Sequence, residues 1–129
     1  MVIDTSALYA IIAGEPERPA FIQAIASDPM RLISSFTLFE CLVVTHAKLK
    51  SEGVARLQAL IERADAEIVP LDGEQIGAAY TAWARFGKGR SPAALNLGDC
   101  CSYALAITRS QRLLYKGNDF VMTDIEPAI

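Results

Sequence analysis

Four short apolar runs, separated by segments with helical periodicity, constrain this chain most. Met1–Ile3, Arg31–Ser34, Glu67–Pro70 and Arg112–Tyr115 are too short for helices and read as buried strands. Between them the pattern changes to helical spacing. Ala7–Ala13 follows the capping side chains of Asp4-Thr5-Ser6 and ends at Gly14. Pro19–Ser27 carries Phe21, Ile22 and Ile25 on one face, and Asp28-Pro29 ends it. Ser35–Lys50 and Glu52–Ala64 follow the second strand, Glu74–Arg85 the third, and Leu97–Ser110 leads into the fourth. Phe86–Pro92 reads as a glycine-rich basic loop, Lys116–Asp119 as a turn and Phe120–Ile125 as a last short strand. Strands alternating with helices build βαβ units, hence an α/β fold around a mostly parallel sheet. The 129 residues fit a single domain, residues 1–129, with no repeat or linker.

At 52% hydrophobic and 21% charged residues the chain can bury a core, so disorder is not expected. No apolar run approaches the roughly 20 residues that span a bilayer. Met1-Val2-Ile3-Asp4 has neither a basic n-region nor a cleavage site, so export is not expected. Cys41, Cys100 and Cys101 are odd in number and form no paired framework. They read as small buried apolar residues in a reducing, cytoplasmic compartment. The net charge of −3 argues against a non-specific nucleic-acid binder. Neutralising four carboxylates on a cation would move −3 to +1, so global charge does not decide the matter.

Four acids occupy informative positions. Asp4 follows the first strand, and Asp119 lies in the turn after the fourth. Asp99 falls in the first turn of the helix that leads to that strand. Glu40 is the only charged residue between Leu32 and Thr45. Ligands of parallel sheets collect at the carboxyl ends of strands. Each acid also has an ordinary reading: Asp4 as a helix cap, Asp99 as a complement to a helix N-terminus, Asp119 in a turn, Glu40 paired with a base. Together they suit a hard cation, Mg2+ or Mn2+. With one histidine, His46, and no thiolate set, neither a zinc cage nor a Ser-His-Asp triad is expected.

Four blocks, in order, carry a family resemblance: Val2-Ile3-Asp4-Thr5-Ser6-Ala7-Leu8; Ser34-Ser35 with Glu40; Leu97-Gly98-Asp99-Cys100 with Ser102-Tyr103-Ala104-Leu105-Ala106; and Leu114-Tyr115-Lys116-Gly117-Asn118-Asp119-Phe120 with Thr123-Asp124-Ile125. This set resembles the VapC-type PIN-domain ribonuclease toxins of type II toxin–antitoxin systems. The resemblance implies a three-layer α/β/α fold and metal-dependent endonucleolytic cleavage of RNA by a water activated at an acidic Mg/Mn cluster. It implies catalytic and metal-binding roles for Asp4 and Asp99 as principal positions, with Glu40 and Asp119 completing the set. Thr5 or Ser6 matches a hydroxyl that orders the site, or is a plain cap. A cognate antitoxin and a homodimer are implied as partners, and no membrane.

Lys88, Arg90 and Lys116 are candidate RNA contacts, with Phe86 a candidate base-stacking ring. Leu8, Ile11, Ile12, Phe21 and Ile25 form an apolar set that could serve the core or a partner helix. The alternatives are a non-catalytic PIN-like interaction module and a phosphotransfer or phosphohydrolase α/β domain. The second is disfavoured because Thr5-Ser6-Ala7 follows Asp4 where an aspartyl phosphatase would carry another acid.

Overall fold

The computed structural model describes residues 1–129. Four strands, β1 (Val2–Ile3), β2 (Leu32–Ser34), β3 (Glu67–Val69) and β4 (Leu113–Leu114), form one sheet in the order β3-β2-β1-β4. All pairings are parallel. Such short strands suffice because β1, β2 and β4 each contribute alternate side chains to two cores, while the edge strand β3 buries only Val69. Ile3, Ile33 and Leu114 face one core; Val2, Leu32 and Leu113 face the other.

The first core is covered by α1 (Thr5–Ala13), α2 (Arg18–Ser27) and α3 (Ser35–Ala64). The second is covered by α4 (Gly73–Phe86) and α5 (Leu97–Thr108). The result is the expected three-layer α/β/α arrangement. The two helices expected over 35–64 both form and meet end to end within α3 at Lys50, whose φ of 58° and ψ of −162° are non-helical and divide it into two limbs. Gly14 ends α1 at φ 74°, a left-handed conformation glycine adopts without a Cβ penalty.

The strand expected over Phe120–Ile125 does not form. Local bonds win there: Val121 N–H donates to the Asn118 carbonyl, and both Thr123 N–H and its hydroxyl donate to the Phe120 carbonyl. The chain reaches the sheet edge only afterwards, where Leu113 donates to the Glu126 carbonyl and accepts from Ala128 N–H. Phe86 belongs to α4, packed against Tyr103 at 5.8 Å between ring centres with the Arg85 guanidinium over its ring. It is therefore not free to stack on a base. All three cysteines are buried; burial pushes the Cys41 thiol up to about 12 and those of Cys100 and Cys101 to about 11. No helix is long and apolar enough to cross a membrane.

Candidate metal centre

In the order β3-β2-β1-β4 the chain leaves β1 in one direction for β2 and β3 and later returns to the other side as β4. A switch of this kind opens a crevice at the carboxyl ends of β1 and β4. Asp4 ends β1 there, and its backbone N–H donates to the Leu114 carbonyl at 2.9 Å. Its carboxylate is 3% exposed and caps α1: Oδ2 accepts from Ser6 N–H at 2.9 Å and from the Ser6 hydroxyl at 2.7 Å. The cap reading and the site reading thus coexist in one residue. Lys116 N–H donates to the same Ser6 oxygen at 3.0 Å, tying the turn after β4 to the site. Thr5 donates its hydroxyl to the Thr37 carbonyl at 3.2 Å.

Asp99 stands at the third position of α5 in a reciprocal capping box. Its Oδ2 accepts from Asn96 N–H at 2.8 Å, and Asp99 N–H donates to the Asn96 side chain at 2.9 Å. Burial pushes its carboxyl up to about 7; the Asn96 bond opposes this, and the charges of Asp4, Asp119 and Glu40 add to it. Glu40, half-buried on α3, is raised by burial and by Asp4, with the Thr5 hydroxyl beside it opposing. Asp119 is exposed in the turn after β4, close enough to act on Asp99. The four predicted acids therefore share one electrostatic neighbourhood, and no ion pair of the fold engages any of them.

Gly98 shows how closely Glu40 approaches α5. A Cβ there would lie 2.2 Å from Glu40 Oε2 and 2.6 Å from both Cδ and Oε1. Gly98→Ala must push the Glu40 carboxylate away. The expected result is a melting temperature within a few degrees of wild type and weaker divalent-cation binding, measured by calorimetric titration. Unchanged binding would remove Glu40 from the cation's surroundings.

The residues fit a hard divalent cation in a particular way. No three acids, thiols or imidazoles converge into a ready-made cage. Mg2+ does not require one: it is commonly held by one or two carboxylates, with waters and substrate phosphates completing its shell. An all-oxygen donor set, partly buried and without a compensating cation, meets that description.

The basic candidates separate. Lys88 is exposed. Arg90 lies over the Trp83 ring at 4.0 Å. Lys116 is committed within the fold, its Nζ 2.6 Å from Glu15 and 3.1 Å from Glu17, so the phosphate contact expected of it is withdrawn. His46 is exposed on α3.

Sequence reading overlooked two hydroxyls. Ser102 donates to Asp4 Oδ1 at 2.6 Å, and Thr37 lies 2.9 Å from Ser102 Oγ. The available signal was spacing: Ser102 follows Asp99 by one helical turn, and Thr37 precedes Glu40 by one.

The PIN domain family matches residues 1–126. Ribonuclease VapC of Mycolicibacterium smegmatis is 43% identical over 125 residues, covering 97% of both chains. Ribonuclease VapC30 of Mycobacterium tuberculosis is 42% identical, covering 97% of this chain and 95% of its own. Among solved structures, Mycobacterium tuberculosis VapC20, described as a sarcin–ricin loop cleaving toxin, superposes with a TM-score of 0.77 at 16% identity over 96% of this chain and 95% of its own. A toxin–antitoxin complex from Klebsiella pneumoniae gives 0.72 at 18% identity over 95% and 92%. At that identity the two structures bear on the fold alone, while the full-length relatives above 40% bear on kinship. By descent and by fold, the chain belongs to the VapC ribonucleases of the PIN-domain family.

Proposed function

We propose that this protein is a Mg2+- or Mn2+-dependent endoribonuclease that acts in the cytoplasm as the toxin of a toxin–antitoxin pair. The observation that carries the reading is the partly buried, uncompensated acid cluster at the carboxyl edge of β1 and β4 in a chain of ribonuclease kin. A cation there would supply Lewis-acid stabilisation of charge developing on a phosphoryl group and make water a nucleophile near neutral pH. Asp4 and Asp99 would hold it, with Glu40 and Asp119 completing the acidic set. Ser6 orients Asp4, and Asn96 orients Asp99. Lys88 and Arg90, on the loop before α5, would draw in the RNA backbone. Incubating the purified protein with total RNA, in Mg2+ and in EDTA, and mapping the new ends tests the reading. Discrete ends formed only with the metal are expected; an intact RNA population in both would contradict it.

The antitoxin's place is also part of this reading. Leu8, Ile11, Ile12, Phe21 and Ile25 are all core residues, so they offer little free surface. What remains open beside them is a groove between α1, α2 and the second limb of α3, floored by Ile12, Ile22 and Leu60 and rimmed by Arg18, Arg31, Arg56 and Arg63. Arg18, Arg31 and Arg63 take part in no ion pair. An apolar floor under a rim of guanidinium groups, most of them without a carboxylate partner, suits an amphipathic segment carrying acids. Arg56→Glu with Arg63→Glu is expected to weaken capture of the co-expressed antitoxin by about tenfold or more while RNA cleavage by the free toxin persists. Unaltered capture would move the antitoxin elsewhere. The expected homodimer draws support from Phe39, Ile76, Tyr80 and Leu97, all more than half exposed on α3, α4 and the start of α5.

A further inference from the structure

We propose that Ser102 and Thr37 are positioning residues that fix the Asp4 carboxylate for the metal through a buried two-hydroxyl relay. The inference rests on the reading of the acids as a metal site.

The direction of the relay follows from proton counting. An ionised Asp4 only accepts, so the 2.6 Å contact from Ser102 uses that hydroxyl's single proton. The 2.9 Å contact between Thr37 and Ser102 must then be donated by Thr37. The chain runs Thr37 Oγ1–H to Ser102 Oγ–H to Asp4 Oδ1. Both hydroxyl residues are 0% exposed, so water does not compete. Thr37 thereby forgoes the common bond from a helical threonine to a carbonyl of the preceding turn.

Asp4 thus receives donors on both oxygens: Ser6 on Oδ2 and Ser102 on Oδ1. The two arrangements are not equivalent. Ser6 is local and accompanies helix capping wherever an Asp-x-Ser start occurs. Ser102 comes from 98 residues away and Thr37 from a third element, so the relay ties β1, α3 and α5 together at one carboxylate. Those helices also carry the other acids: Thr37 lies one turn from Glu40, and Ser102 one turn from Asp99. Each hydroxyl thus shares a helix with one acid, and Asp4, which receives the relay, also acts on both acids through its charge. Donors of this kind commonly set the orientation of a ligating carboxylate, and their removal costs about 10- to 100-fold in metal affinity. A chained hydroxyl is also a stronger donor than an isolated one, because each bond polarises the next.

The test measures Mn2+ binding by the electron paramagnetic resonance signal of free Mn2+, in RNA-free protein, alongside thermal melting without metal. Ser102→Ala is expected to weaken Mn2+ binding by about tenfold. Thr37→Val should weaken it several-fold, and Thr37→Ser, which keeps the hydroxyl, should not. The double variant Ser102→Ala with Thr37→Val leaves no donor stranded, so its melting temperature should recover relative to Ser102→Ala alone. Its Mn2+ affinity should not recover. Affinity that returns with stability, or wild-type affinity in Ser102→Ala, overturns the positioning role. Should Ser102→Ala fail to fold, the Thr37→Val and Thr37→Ser pair decides on its own. A wild-type protein that binds no Mn2+ removes the metal reading itself, and this proposal with it.

Discussion

Asp99→Asn is expected to lower RNA cleavage by about 1,000-fold or more, equivalent to about 4 kcal/mol of transition-state stabilisation, while leaving the fold intact and the metal-free protein more stable. The two effects have one cause. Asp99 is buried, feels the charges of Asp4, Asp119 and Glu40, and has no ion-pair partner in the fold. Its charge is a burden without metal and a ligand with it. Asn keeps the shape and can still accept the Asn96 N–H that closes the capping box. Single-turnover cleavage with saturating Mg2+, together with denaturant unfolding in EDTA, measures both. A variant that is inactive because it unfolds, or one fully active, contradicts the assignment.

Stability of the metal-free protein should fall as pH rises from about 4 to about 7. The Asp99 carboxyl holds its proton up to about 7 in the fold against a usual value of 3.8. In that window the native state binds more protons than the unfolded chain, so unfolding free energy declines with pH and levels off above the folded value. A displacement of this size corresponds to at most about 4 kcal/mol, because one unit is worth about 1.36 kcal/mol. Mg2+ should restore the lost stability at pH 8 by binding only the native state. Asp99→Asn should flatten the EDTA profile and reduce the Mg2+ gain. Urea titrations at several pH values check this; a stability that rises through the window would contradict it.

What could be read from the sequence depended on how local its cause was. The strands were legible because two or three apolar residues between caps leave little alternative, and the acids because strand ends and helix starts are locally marked. The Phe120–Ile125 segment misled because its composition favours a strand while Thr123 and Asn118 close turns within it. Lys116 and Phe86 looked available because nothing near them in sequence reveals Glu15, Glu17 or Tyr103 as partners. The relay from Thr37 through Ser102 to Asp4 brings together three elements, so no single segment could suggest it. The arginine-rimmed groove likewise takes its residues from α1, α2, α3 and the segment before β2.

If Asp4, Glu40, Asp99 and Asp119 hold the cation used for RNA cleavage, anomalous diffraction from crystals grown with Mn2+ will locate it among them. The expected peak lies within about 2.5 Å of carboxylate oxygens of Asp4 or Asp99 and is absent in Asp99→Asn crystals. A protein that cleaves RNA with Mn2+ yet shows its peak elsewhere, or an undiminished peak in Asp99→Asn, would contradict this assignment.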